Sequence, residues 1–63
     1  MTAPYWQVEY HSTTHPQVTY YNGTDESLAR LIFESIVADL RPNETVELKR
    51  EGKREHRVEK GNG

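Results

Sequence analysis

Six of the eight basic side chains fall in one run: Lys49, Arg50, Lys53, Arg54, Arg57 and Lys60, interrupted by Glu51, Glu55 and Glu59. Cations at that density can neutralise phosphates or meet an acidic protein surface. Glu9, His11 and His15 bring a carboxylate and two imidazoles together in sequence, a set able to ligate zinc. Ser12, Thr13 and Thr14 lie between the two histidines. A hydroxyl beside an imidazole base is the first requirement of nucleophilic catalysis.

Chemistry of either kind needs more than residue type. A metal site requires fixed ligand geometry and an outer layer of hydrogen bonds, and a polar turn supplies neither. A hydroxyl nucleophile requires a base held by a third group and an oxyanion hole, whereas turn Ser and Thr usually satisfy backbone groups. There is no cysteine, so thiolate ligands and thiol nucleophiles are excluded, and no glycine-rich phosphate loop occurs. A chain of 63 residues also leaves little room for a pocket of several hundred cubic ångströms. The expectation is a protein that is not an enzyme and carries no metal or cofactor.

The elements that must position these residues are legible in the hydropathy pattern. Trp6, Val8 and Tyr10 alternate with Gln7, Glu9 and His11; Val18 and Tyr20 with Thr19 and Tyr21; Val46 and Leu48 with Glu47 and Lys49. Side chains alternate faces along a strand, so the apolar even positions predict a sheet with one dry and one wet face. Between the strand regions, residues 25–41 have apolar side chains at helical spacing: Ala29, Ile32, Phe33, Ile36, Val37 and Leu40 span about 140° of arc. Thr24 is the expected N-cap, with Asp25 and Glu26 at the positive end of the helix dipole and Pro42 as the stop.

These elements give an α+β domain of hairpin–helix–hairpin order, ββαββ, with one helix packed on a four-stranded, mainly antiparallel sheet. The ordered part should cover residues 5–59 of a single domain, with ends fraying at 1–4 and 60–63. Pro16 lacks a ladder donor and marks the second strand as an edge. The first hairpin pairs Tyr10 with Val18 and Val8 with Tyr20. A three-residue turn, Arg50-Glu51-Gly52, would set Leu48 opposite Arg54 and Val46 opposite His56 in the second. Strand orders 2-1-3-4 and 2-1-4-3 both fit; the more apolar third strand favours the first, since central strands are the more buried. The expected core is Trp6, Val8, Tyr10, Val18, Tyr20, Leu28, Ile32, Phe33, Ile36, Leu40, Val46, Leu48 and Val58.

Three surfaces are then candidates for binding. The net charge is only −2, but residues 49–60 carry +3 and residues 1–48 carry −5, an asymmetry able to orient a charged partner. The basic hairpin residues Lys49, Arg50, Lys53 and Arg54 form the first. The wet sheet face, with Tyr5, Gln7, Gln17, Thr19, Tyr21, Lys49 and Arg57, is the second, and with the basic hairpin it could stack bases and neutralise phosphates. Leu31 is the third: it lies outside the apolar arc among Ser27, Ser35 and Ala38, where a second copy could dock as a homodimer. A host or cellular protein is the partner expected first, and a nucleic acid is the alternative. No apolar run of 18 residues and no basic-then-apolar leader is present, which points to a cytoplasmic protein without a membrane.

A resemblance bears on the same reading. The segments Tyr5-Trp6-Gln7-Val8, Pro16-Gln17-Val18-Thr19-Tyr20-Tyr21, Thr24-Asp25-Glu26-Ser27-Leu28-Ala29-Arg30-Leu31 and Thr45-Val46-Glu47-Leu48-Lys49-Arg50 resemble the layout of a family of small podovirus proteins that inhibit the host's RNA polymerase. The likeness covers roughly residues 5–50 and also extends to short phage accessory proteins of hairpin–helix–hairpin form. It implies a non-enzymatic inhibitor that wedges into its target with charged residues, with Lys49 and Arg50 near the contact strand.

Overall fold

The computed structural model describes residues 3–14 and 17–60. Expectations about His15, Pro16 and the fraying of residues 1–2 and 61–63 lie outside these described residues. The elements run β1 (Trp6–Ser12), β2 (Val18–Gly23), α1 (Glu26–Ala38), β3 (Glu44–Arg50) and β4 (Lys53–Glu59). One antiparallel sheet has the order β2-β1-β3-β4, with the two most apolar strands in the centre. The ββαββ domain forms as the period-two and helical patterns require.

The β1–β3 ladder is regular, from Trp6 opposite Arg50 to Ser12 opposite Glu44. Both outer ladders contain a bulge, and each corrects the expected register. In the first hairpin Tyr10 faces Val18 and Glu9 faces Thr19, but Val8 then faces Tyr21 rather than Tyr20. Tyr20 is the extra residue, and two residues facing one is what a bulge provides. In the second hairpin the turn is two residues, Glu51-Gly52, both left-handed at φ 53° and 78°. Paired positive φ values match the right-handed strand twist, which a two-residue hairpin requires. Lys49 therefore faces Arg54, and after a bulge at Glu55 Leu48 faces His56 and Val46 faces Val58.

Asp25, not Thr24, caps the helix: its carboxylate accepts from the Leu28 N–H at 3.1 Å, and its own backbone is extended. The helix stops at Ala38, three residues short of the expected end. The Asp39 N–H bonds back to the Ile36 and Val37 carbonyls, and Leu40 N bonds Val37 O at 3.2 Å. An acidic residue at the negative end of the dipole, with no cation in the last turn, gives the helix nothing to continue on. Asn43, left-handed at φ 69°, turns the chain into β3.

The core under α1 consists of Trp6, Val8, Ala29, Phe33, Leu40, Val46 and Leu48, with Tyr10, Tyr21, Ile32, Ile36, Val37 and Val58 packed partly buried against it. Three expected core residues are exposed instead: Val18, Tyr20 and Leu28. The cause is the position of α1, which packs on β1 and β3 and reaches β2 beside them. Val18 and Tyr20 fall beyond its edge. Lys60, expected to fray, is held on both sides: its N–H bonds Glu44 O and its carbonyl accepts from Asn43 N.

Candidate functional site

β4 is a charged edge with little beneath it. Lys53 to Arg57 are all exposed, Val58 is half-buried, and α1 meets this strand at the Phe33 ring, 6.2 Å from the His56 ring centre. The hairpin tip also draws in the chain before β1. Glu51 N–H bonds the Tyr5 carbonyl at 2.8 Å, and the Glu51 carboxylate accepts from Tyr5 N–H at 3.0 Å. Tyr5, Arg50, Lys53 and Arg54 are thus assembled at one end of the sheet.

The expected set divides at this point. Tyr21 is not on the wet face. The bulge at Tyr20 turns it to the helix side, where it packs against the core and its hydroxyl accepts from Asp25 N–H at 3.1 Å. Leu31 is exposed, as its place outside the apolar arc requires, but it stands on the helix and belongs to a different surface from the hairpin. Lys49 lies on the polar sheet face, its ammonium 2.7 Å from a Glu9 carboxylate that is largely buried. That hydrogen bond holds the lysine pKa above the ordinary 10.5, against the opposing effect of burial.

The three arginines of the arm are paired as well. Arg50 Nε lies 3.2 Å from Glu55. Glu47 receives Arg54 Nη1 at 3.5 Å and Arg57 Nε at 4.0 Å, and Arg57 also reaches Glu59 at 2.8 Å. The polar face carries alternating signs rather than a continuous positive field. Among the described residues Lys53, exposed beside the Glu51-Gly52 turn, has no ion pair.

A second surface, which takes in Leu31, lies at the opposite end of β1 from the hairpin tip. A groove of about 520 Å³ opens between α1 and β2, walled by Tyr10, Tyr20, Leu31, Ile32 and Ile36. Its polar rim is Asp39, Arg41 and Glu44. Tyr20 stands edge-on to Tyr10, ring centres 5.8 Å apart at 80°. The Tyr10 hydroxyl donates to Glu44 at 2.7 Å, which together with burial raises the phenol pKa above the ordinary 10.0. The adjacent aromatics Tyr20-Tyr21 break the period-two pattern at the bulge.

The residues first considered for chemistry are arranged differently. Glu9 is committed to Lys49, and among the described residues no group of three or more His, Asp or Glu is placed to hold a metal ion. Ser12 and Thr14 bond one another: the Thr14 N–H donates to Ser12 Oγ at 3.3 Å, a turn satisfying its own backbone. His11 borders a shallow polar hollow with Ser12, Thr13, Thr45 and Glu59.

No family model, curated protein or solved structure matches this chain. Among the described residues no helix is long and apolar enough to cross a membrane.

Proposed function

We propose that this chain is a small protein-binding module whose β3–β4 arm is the partner-facing element. The observation that carries the reading is β4 itself, a seven-residue strand left almost entirely exposed in a domain of 63 residues. A strand exposed on both faces contributes little to the core, so its charged side chains are free to meet the mixed charges of a partner surface. The tip places Tyr5, Arg50, Lys53 and Arg54 together, and Tyr and Arg are the residue types enriched at the centres of protein interfaces.

Mixed charge favours a protein surface over a run of phosphates. Lys49, Arg50, Arg54 and Arg57 each face a carboxylate, so a polyanion would have to displace Glu9, Glu55, Glu47 or Glu59 to use them. A protein with interleaved acidic and basic groups can satisfy both signs at once. The resemblance over residues 5–50 makes a regulator or inhibitor of a host protein the specific form of this reading, with bacterial RNA polymerase the first partner to assay.

The test is a titration of labelled domain against purified bacterial RNA polymerase and, separately, against duplex and single-stranded oligonucleotides across a salt series. The reading expects saturable binding to protein that is lost in the double variant Lys53→Glu, Arg54→Glu while the circular dichroism is kept. Oligonucleotide binding that falls linearly with salt on logarithmic axes, with a slope reduced by the same variant, would replace it with the nucleic-acid alternative.

A further inference from the structure

The two edges of the sheet are built differently. β4 carries Lys53, Arg54, Glu55, Arg57 and Glu59, the usual guard against pairing with a second chain. β2, with the sequence Val-Thr-Tyr-Tyr-Asn-Gly, has no charged side chain at all. Beside this bare edge stand the two most exposed large apolar side chains, Tyr20 at 55% and Leu31 at 62%, and both wall the groove of about 520 Å³. Protruding side chains and a recess thus share one face.

From these features we infer that β2 and the adjoining groove form a self-association surface whose occupant is a second copy of this chain. A two-fold interface sets each residue against the same surface of its partner, so a charged edge would meet its own charges. The uncharged β2 meets no such penalty. Antiparallel pairing of β2 with its copy, about an axis normal to the sheet, makes one eight-stranded sheet with both helices on the same side. The two β1 strands beneath the helices would then stand three strand spacings apart, about 14 Å. Helices in direct contact pack at about 8–10 Å. The difference is the room that Tyr20 and Leu31 of each copy require, each entering the recess of the other.

The area sets the strength. Six residues of strand span about 20 Å, and the domain is about as high as its short dimensions of 20 and 15 Å. The face therefore offers about 300–400 Å² per copy, at most half of the ~800 Å² typical of stable complexes, so the pair is a weak and reversible one.

Sedimentation equilibrium from about 10 μM to about 1 mM tests this, a range that brackets weak association. The expected result is a monomer at the low end, a mass of two copies at the high end, and slower amide exchange in β2 as concentration rises. Tyr20→Lys, which puts a charge at the edge, and Leu31→Asp, on the helix, should each hold the protein monomeric throughout; both sites are exposed, and a retained melting curve shows that each variant folds. Lys53→Glu on the far edge should leave the association unchanged. A monomer at every concentration, a dimer indifferent to both variants, or masses growing beyond two copies would each overturn the proposal.

Discussion

Replacing Leu48 with Ala separates the core of this structure from the one the hydropathy pattern alone describes. Leu48 is fully buried on a central strand, between Val8 of β1 and His56 of β4, beneath α1. Removing a fully buried leucine side chain costs about 2–5 kcal/mol, the range reflecting how far neighbours relax into the space. For 63 residues the total stability is about 3–9 kcal/mol. A single substitution therefore removes about a fifth of it or more. At about 4–8 °C per kcal/mol for a domain of this size, the melting midpoint should drop by at least about 8 °C. Leu28 is the control. It is also a leucine of the expected core, but 41% of its surface is exposed. Its replacement by Ala should cost about 1 kcal/mol or less, because Ala is the better helix former and little burial is lost. Urea denaturation followed by circular dichroism measures both, at one low protein concentration so that self-association does not enter. Equal losses at the two sites, or a loss below about 1 kcal/mol at Leu48, would refute the placement of α1 over β1 and β3.

Other outcomes follow from particular contacts. Asp25→Ala should cost about 0.5–2 kcal/mol by freeing the Leu28 N–H, while Thr24→Ala should cost much less, and chemical denaturation of the two compares them. Gly52→Ala should lose about 1–2 kcal/mol from backbone strain alone, since φ is +78° and no atom lies within 4 Å of the added methyl group. Lys49 and Tyr10 both have raised folded pKa values. Each therefore favours folding below its unfolded pKa and loses that contribution as pH rises through the folded one. Urea midpoints should fall on the alkaline side of about pH 10, and Lys49→Met should make that fall shallower; a flat profile to the point of general denaturation would contradict the Glu9 and Glu44 contacts.

Legibility in the sequence followed the strength of the periodic signal. The alternation at Trp6-Val8-Tyr10 and Val46-Leu48 is uninterrupted, and the helix arc is continuous, so element order and dry face could be read, while the apolar β3 only favoured its central place over the order 2-1-4-3. The bulge at Glu55 leaves no mark in the alternation, because the even-position pattern survives it: the parity returns, and His56 and Val58 still face α1. The register slipped by two positions for that reason. Tyr21 was misplaced through the other bulge, since alternation assigns it to the wet face while the extra residue Tyr20 turns it inward. The basic run gave its own location correctly, but which carboxylate each cation meets depends on the ladder register, which the bulge at Glu55 changes. The groove is a product of where α1 rests sideways on the sheet, a tertiary quantity that no local pattern encodes.

The central claim, that the β3–β4 arm binds a protein, is tested most directly by capture from bacterial lysate with the tagged domain and with its Lys53→Glu, Arg54→Glu variant, each with and without nuclease, quantified by mass spectrometry. The account predicts one protein recovered in near-stoichiometric amount by the parent, resistant to nuclease, and absent from the variant. Recovery that disappears on nuclease treatment, or that is equal for parent and variant, would contradict it.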